Sequence, residues 1–229
     1  MKAIFVFVIL VCVSYVEGAR ILIASPLGTK SHKNTYIALT KELAKRGHEV
    51  TVICNYHTES FRNIEGISEI VMEHLQIDLS MFPPQFEMAM GNVTMQDIKV
   101  IFSVMLSSPM KYTTEFFEDV RIQDLIANSK FDLMILSAIS DYMTLPLAWH
   151  FKVPIISTSP NVLLPGWSSH LGVVEPTAYV PFVLSSYSDR MNFIERMANT
   201  AAYQFFISFS EFSLRGVEDV VQKVCNAKM

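Results

Sequence analysis

Apolar positions along the chain alternate between short, nearly continuous runs and longer stretches with helical spacing. The first run, 20–25, reads RILIAS and lacks the strict alternation of a half-exposed strand. Such a run suits a strand that is buried on both faces of a parallel sheet. Apolar side chains three or four residues apart then predict a helix over 34–47, and 48–54 reads as a second strand. A strand, a helix and a strand in this order form the crossover unit of a doubly wound α/β fold.

The same pattern continues along the chain. The sequence predicts a third strand at 67–75 and a second strand–helix–strand unit between 130 and 159. Between them, Met- and Phe-rich amphipathic stretches interrupted by prolines predict helices outside the sheet, and a further helical region is predicted at 189–214. We therefore expect an α/β protein with a Rossmann-like doubly wound parallel sheet.

The first 18 residues have the pattern of a secretory signal peptide. One lysine precedes an apolar run over 3–13, and small residues follow it. An uncleaved membrane anchor is the alternative, but the apolar run is shorter than the roughly 20 residues of a spanning helix. We expect a signal peptide at 1–18 and one domain at 19–229.

Composition and charge narrow the class of partner. Of the 229 residues, 51% are hydrophobic and 17% are charged, which is typical of a globular chain. The formal net charge is −4, and the basic residues are scattered rather than clustered. This distribution argues against a nucleic-acid partner, because phosphate backbones are bound by concentrated positive charge.

A lumenal location would allow disulfide formation and N-glycosylation. Cys12 lies in the predicted signal peptide, so Cys54 and Cys225 remain, either as a disulfide or with Cys54 as a buried inert thiol. Asn92 begins the triplet Asn-Val-Thr, which is an acceptor site for N-glycosylation.

Several motifs that assign chemistry are missing from the sequence. The loop after the first predicted strand has one glycine where dinucleotide binding needs three, and no P-loop occurs. The histidines show no H-E-x-x-H pair, no Cys/His spacing suits zinc, and no G-x-S-x-G elbow is present. We therefore expect no cofactor and no metal site.

His32 is the candidate for chemistry that remains. It follows the first predicted strand by a short loop, and reactive groups of open parallel sheets collect beyond the carboxyl ends of the strands. Imidazole titrates near neutral pH, so a histidine there can take a proton from a hydroxyl group. Alternatively, His32 only caps or packs against the start of the helix.

Two segments carry a resemblance to a known family. The stretch GTKSHKNTYIALTKELAKRGHEVTVI resembles the start of the animal UDP-dependent glycosyltransferases, in which serine-histidine precedes a helix that ends in Arg-Gly-His-x-Val-Thr. The stretch 175–200 is similar to the family's Tyr-Val-Pro run, which is followed by Asp-x-Met-x-Phe and Glu-Arg. With FDLMILS and FKVPIIS, the resemblance covers essentially the whole predicted mature chain.

The resemblance implies a GT-B architecture of two Rossmann-like domains, of which this chain is similar to the N-terminal, acceptor-binding half. The C-terminal domain that binds the UDP-sugar and the membrane tail have no counterpart before Met229, so the chain reads as a truncated member or a fragment. The implied reaction is inverting transfer of a hexose from a UDP-sugar to a hydroxyl of a small lipophilic acceptor, as in detoxification. The implied location is the endoplasmic reticulum lumen, with full-length relatives anchored in its membrane.

The resemblance also implies roles for individual residues. His32 matches the family's general base. The family usually places an aspartate at the end of the strand that resembles FDLMILS, where it supports the imidazolium, but Ser137 stands there in this chain. Asp141, four residues on, is either a substitute charge partner or an acid at a helix N-terminus.

Acceptor choice in this family lies in the N-terminal half, so the Met- and Phe-rich region is a candidate acceptor pocket. Flexible methionines and aromatic rings suit varied apolar ligands, although the same residues at helical spacing also make plain core. The candidate pocket residues are Phe82, Phe86, Met90, Phe102 and Met105.

Two hypotheses follow. One is the acceptor-binding half of a transferase. The other is a binding module without turnover, which holds lipophilic molecules or pairs with a second copy or with a full-length relative.

Overall fold

The structure is a computed structural model that describes residues 18–76, 95–159, 172, 174–182 and 185–226. Its centre is a five-stranded, all-parallel sheet with the strand order β3-β2-β1-β4-β5. The strands are β1 (Arg20–Ser25), β2 (Glu49–Cys54), β3 (Ile67–Val71), β4 (Leu133–Ser137) and β5 (Ile155–Thr158). The predicted Rossmann-like parallel sheet is therefore confirmed.

Helices connect and cover the strands. They are α1 (Lys30–Lys45), α2 (Met95–Glu118), α3 (Val120–Asn128), α4 (Asp141–Phe151), α5 (Phe193–Leu214) and α6 (Val217–Asn226). Two 3₁₀ turns, Glu59–Phe61 and Ala138–Ser140, follow β2 and β4.

Strands β1, β2 and β4 supply alternate residues to two cores, one on each face of the sheet. Leu22 and Ala24 of β1 belong to one core, which also contains Phe116 of α2. Ile21 and Ile23 belong to the other, which Tyr36 of α1 covers. Because alternate residues of a strand enter different cores, consecutive positions such as 21–24 and 133–136 are apolar, and this explains the continuous runs of β1 and β4.

The start of α1 differs from the prediction. The helix begins at Lys30, four residues before the predicted start, because Thr29 adopts the extended backbone of an N-cap. The amides of His32 and Lys33 donate to the carbonyl oxygen of Thr29 at 3.1 and 3.3 Å. His32 is thus in the first turn of the helix, not in the loop before it.

Other boundaries were also predicted wrongly. Pro109 lies inside α2 and does not break it, in a helix whose later turns bury Phe116 and Phe117 completely. Burial of such side chains outweighs the hydrogen bond that proline removes. The third strand ends at Val71, before the predicted end at 75, and the amide of Met72 donates to the carbonyl oxygen of Cys54. Helix α6 was not predicted.

Within the described part of the chain, no helix is both long enough and apolar enough to span a bilayer.

Candidate active site

The carboxyl ends of all five parallel strands lie at one edge of the sheet. Cys54 ends β2 in register with Ser25, which ends β1. Ser137 ends β4 in register with Thr158, which ends β5. The polypeptide leaves β1 at this edge and enters α1. The candidate site lies where strand order reverses about β1, which is where open α/β sheets hold their ligands.

The loop between β1 and α1 is pinned to the end of β2. The buried side chain of Asn55 donates to the carbonyl oxygen of Gly28 at 2.6 Å. Gly28 has a φ of +128°, and a Cβ atom there would lie 3.0 Å from Cβ of His32 and 3.1 Å from its Cγ. The glycine therefore allows the loop to pack directly against His32.

His32 is the third residue of α1, and its side chain is half-buried. Its Nδ1 lies 2.7 Å from the hydroxyl of Thr29 and 3.3 Å from the backbone nitrogen of Thr29. The Thr29 hydroxyl in turn lies 2.7 Å from that of Ser31. His32 thus takes part in the cap of the helix, as one of the two interpretations predicted, and it still lies where the other places a base.

Burial lowers the pKa of the His32 imidazole, because desolvation disfavours the charged form. A lowered pKa keeps the ring neutral at neutral pH. A neutral ring is the form that accepts a proton.

A buried ion pair fixes the first turn of α1 from the other side. Nζ of Lys33 lies 2.7 Å from Oε1 of Glu69 on β3, and the two side chains are only 5% and 9% exposed. Lys33 also donates to the carbonyl oxygen of Tyr56. Glu69 accepts from the amide of Thr58 at 3.2 Å and lies 2.8 Å from Nδ1 of His57. These bonds tie α1 and the loop after β2 to β3.

One turn after Lys33 along α1, Tyr36 contacts β5, the outer strand on the opposite side of the sheet from β3. Its hydroxyl lies 2.7 Å from that of Thr158 on β5, which donates to the carbonyl of Leu136 at 2.9 Å. The sequence reasoning missed the roles of Tyr36, Lys33, Asn55 and Glu69. Lys33 precedes the predicted helix, so the apolar spacing carried no signal of its inward position.

Cys54 is a free, fully buried thiol, so the inert-thiol interpretation holds and the disulfide alternative is wrong. Its Sγ lies 3.4 Å from the carbonyl of Tyr56 and 3.5 Å from Oε1 of Glu69. Burial raises the pKa of the thiol to about 11, which removes its reactivity at neutral pH.

Ser137 is fully buried at the position where the resemblance places an aspartate, and its hydroxyl has no hydrogen-bond partner among the described residues. The neighbouring Ser25 hydroxyl is likewise buried and unpartnered within that part of the chain. Asp141 is the first residue of α4, close in sequence to the end of β4, and is 8% exposed. Its role as the charge partner of His32 stays a prediction.

The predicted acceptor pocket also stays a prediction. Phe82, Phe86 and Met90 lie outside the described residues, as does the sequon at Asn92. Phe102 and Met105 are in α2, but their side chains are not among those described. Two open recesses lie on the described surface, one beside Arg121 and the other beside Trp149, and His32 lines neither of them.

Among the described residues, no group of three or more His, Cys, Asp and Glu side chains is arranged to hold a metal ion.

These features define a Rossmann-like α/β protein with a half-buried histidine at the switch point of its sheet. A family model described as UDP-glucoronosyl and UDP-glucosyl transferase matches residues 21–226. The match covers most of the chain, so the protein belongs to this family, and the predicted resemblance is confirmed.

Individual relatives agree with the family match. The chain is 31% identical over 198 residues to UDP-glucosyltransferase 2 of Dactylopius coccus, covering 86% of this chain and 37% of the relative. It is 24% identical over 221 residues to UDP-glucuronosyltransferase 1A8 of Rattus norvegicus, covering 92% and 40%. The chain therefore spans about two fifths of the length of these relatives.

Among solved structures, the glycotransferase of kitacinnamycin is similar at a TM-score of 0.42 and 17% identity, over 85% of this chain and 41% of that one.

Proposed function

We propose that the chain is the acceptor-binding, N-terminal half of a GT-B type UDP-glycosyltransferase and that His32 is its general base. In this proposal the domain comprises 19–229, follows a signal peptide at 1–18 and enters the endoplasmic reticulum lumen. The UDP-sugar binds a C-terminal domain, as in membrane-anchored full-length relatives. The observation that carries the proposal is the position of His32, which is half-buried in the first turn of α1 beside the switch point of the sheet.

The chemistry follows from a neutral imidazole beside an acceptor. His32 takes the proton from the acceptor hydroxyl as the oxygen attacks the anomeric carbon of the sugar. The bond between that carbon and the UDP oxygen breaks, and UDP leaves with the electron pair. Attack opposite the leaving group inverts the anomeric configuration.

Supporting roles in the proposal fall to Asp141 and to the Met- and Phe-rich region. Asp141 begins a helix one 3₁₀ turn after β4, the neighbour of β1, which supports a position at the same edge of the sheet as His32. Its buried carboxylate would stabilise the imidazolium as the proton arrives. Phe82, Phe86, Met90, Phe102 and Met105 would surround a small lipophilic acceptor.

The test is a chimera that joins this chain to the C-terminal domain of UDP-glucosyltransferase 2 of Dactylopius coccus. Transfer of labelled glucose from UDP-glucose to a panel of lipophilic phenols would be measured under single-turnover conditions. We expect His32→Gln to lower the rate by about 10²- to 10⁴-fold, because that is the usual contribution of a general base. Donor affinity should not change.

A matched control uses His150, which lies in the last turn of α4. Its Nε2 contacts the carbonyl oxygen of Ile126. His150→Gln should leave the rate of transfer unchanged. A His32→Gln chimera that transfers glucose as fast as the parent would refute the assignment of the base.

The second candidate is a binding module without turnover, and Ser137 favours it. A buried hydroxyl, without a hydrogen-bond partner among the described residues, stands where the resemblance places a carboxylate. In this case the chimera would transfer no sugar, while titration with lipophilic phenols would still give saturable binding to the chain.

A further inference from the structure

Helix α5 has one buried face and one exposed face. Asn199, Tyr203 and Phe206 lie on the buried face and contact the segment 177–182. The exposed face carries large apolar side chains that are 57–76% exposed, namely Phe193, Ile194, Met197, Phe205 and Phe212. The last four recur at helical spacing, so they form one apolar stripe along the helix.

The apolar stripe of α5 has the size of an interaction surface. Because a large apolar side chain of this kind covers roughly 150–250 Å², the five side chains at their observed exposures present on the order of 600 Å². The largest apolar patch on a typical monomer is about 300–600 Å² and often has a function. A stable interface needs about 800 Å² from each partner, which the stripe and its polar margins together can supply.

The charges of α5 argue against a lipid surface as the partner. Helices that lie on membranes carry an excess of Lys and Arg beside their apolar face. In contrast, α5 carries one arginine, Arg196, and two glutamates, Glu195 and Glu211. The formal net charge of the chain is −4. Neither the helix nor the chain therefore attracts anionic headgroups.

Two charges beside the stripe instead complement a second copy of the helix. Arg196 and Glu211 are both exposed, lie near opposite ends of α5 and share one margin of the stripe. Neither forms an ion pair within the described part of the chain. They lie roughly 22 Å apart along the helix, so they cannot pair with each other in one chain. Two antiparallel copies of α5 would bring the Arg196 end of each beside the Glu211 end of the other.

We propose that α5 is the surface through which two copies of this chain associate, with their α5 helices antiparallel about a two-fold axis. In such an interface the same stripe covers itself, and the pair of Arg196 with Glu211 forms twice. A parallel arrangement would bring each charge beside its own counterpart, which is repulsive. The association does not require sugar transfer, so it is tested separately from the proposed function.

Sedimentation equilibrium of the purified chain, from about 1 to 100 µM, tests whether a dimer forms through this face. We expect a monomer–dimer equilibrium whose dissociation constant rises at least about tenfold in Ile194→Ser, because this change removes an apolar contact from the stripe. Val120→Ser is the matched control, since Val120 is 73% exposed and Ile194 is 76% exposed, but Val120 lies on α3. A chain that is monomeric throughout, or an equal effect of the two variants, would overturn the proposal.

Charge reversal tests the antiparallel arrangement. Arg196→Glu and Glu211→Arg should each raise the dissociation constant of the dimer by about five- to tenfold, because each places like charges together across the interface. The double variant exchanges the two charges and should restore the dissociation constant of the parent. Since the two residues are too far apart to interact within one chain, only contact between copies gives this rescue. A double variant that associates as weakly as the single variants would contradict the proposal.

Other occupants of the stripe give different outcomes. Flotation with vesicles of phosphatidylcholine and phosphatidylserine tests a lipid surface. Flotation of a chain that is monomeric in solution, abolished by Ile194→Ser, would assign the stripe to lipid and reject self-association. The chimera with a C-terminal domain should dimerise as the chain does. A monomeric chimera beside a dimeric chain would show that the added domain covers α5, and would also overturn the proposal.

Discussion

Gly28 has a backbone conformation that residues with a side chain rarely adopt, and the space beside it is too small for a Cβ atom. Its φ is +128°, and the nearest atoms to an added Cβ belong to His32 at 3.0 and 3.1 Å. We expect Gly28→Ala to lower the free energy of unfolding by about 1 to 3 kcal/mol for backbone strain, with a further loss because His32 must move. Urea denaturation would measure this change.

Gly47 provides the matched comparison, because it has a φ of +86° and nothing within 4 Å of an added Cβ. Gly47→Ala should therefore show strain alone and cost less than Gly28→Ala. Equal losses in the two variants would show that contact with His32 adds nothing.

At the scale of residues, the sequence located the candidate base but not its surroundings. His32 could be predicted because its distance from the first strand is local information. Lys33 and Glu69 lie 36 residues apart, and Asn55 and Gly28 lie 27 apart. Such pairs depend on how strands align in the sheet, which no local spacing reveals.

Among the elements, α1 depends on the buried pair between Lys33 and Glu69. Burial by itself raises the pKa of the Glu69 carboxyl, but hydrogen bonds from Lys33 and Thr58, with the charge of Lys33, outweigh burial and lower it overall. A carboxyl with a lowered folded-state pKa stabilises the protein above its unfolded pKa of about 4.3. This contribution is lost as pH falls through the folded-state pKa.

Glu69→Gln should therefore destabilise the protein at neutral pH and flatten the loss of stability below about pH 4.3. Thermal unfolding across pH 3 to 7 would measure both effects. Glu42 serves as the control, since it forms an exposed pair with Arg46 at 3.0 Å. Glu42→Gln should change stability by less than about 1 kcal/mol. If the two variants have the same pH profile, the buried pair does not carry the acid sensitivity.

Strands were easier to predict than helix boundaries. Strands β1 and β4 are visible as continuous apolar runs, because both faces of these strands are buried. The start of α1 was missed because its first turn is polar and is set by the cap at Thr29 rather than by apolar spacing. Helix α2 continues through Pro109 because tertiary packing outweighs the low helix propensity of proline. Helix propensities do not include tertiary packing, so they could not predict this continuation.

For the whole molecule, the chain spans about two fifths of the length of its relatives. If the partners of uracil and diphosphate belong to a C-terminal domain, this chain by itself should not bind UDP-glucose in the micromolar range. Isothermal titration calorimetry would test this, with the chimera as the positive control. A micromolar affinity of the chain alone would place donor contacts within residues 1–229.

The proposed secretory route predicts a glycan on Asn92. When the protein is expressed in insect cells and then digested with an enzyme that removes N-glycans, its mobility on a gel should increase. Asn92→Gln should migrate like the digested protein, because it removes the acceptor amide. A lumenal protein with no shift would contradict an accessible sequon.

The fold of the whole molecule could be predicted because alternating strands and helices leave few topologies open. The acceptor pocket could not be tested in the same way. Its candidates include Phe82, Phe86 and Met90, and apolar side chains at helical spacing serve a core and a ligand pocket equally well.

Helix α1 is attached to both halves of the sheet, by Lys33 to Glu69 on β3 and by Tyr36 to Thr158 on β5. Its first turns cannot lift away without breaking both attachments, so their fluctuations are coupled to those of the sheet. In native-state hydrogen exchange, the amide of Tyr36 should therefore exchange together with the central strands, and later than the exposed last turn of the same helix. The base would then sit on a part of the molecule that opens only when the sheet itself opens.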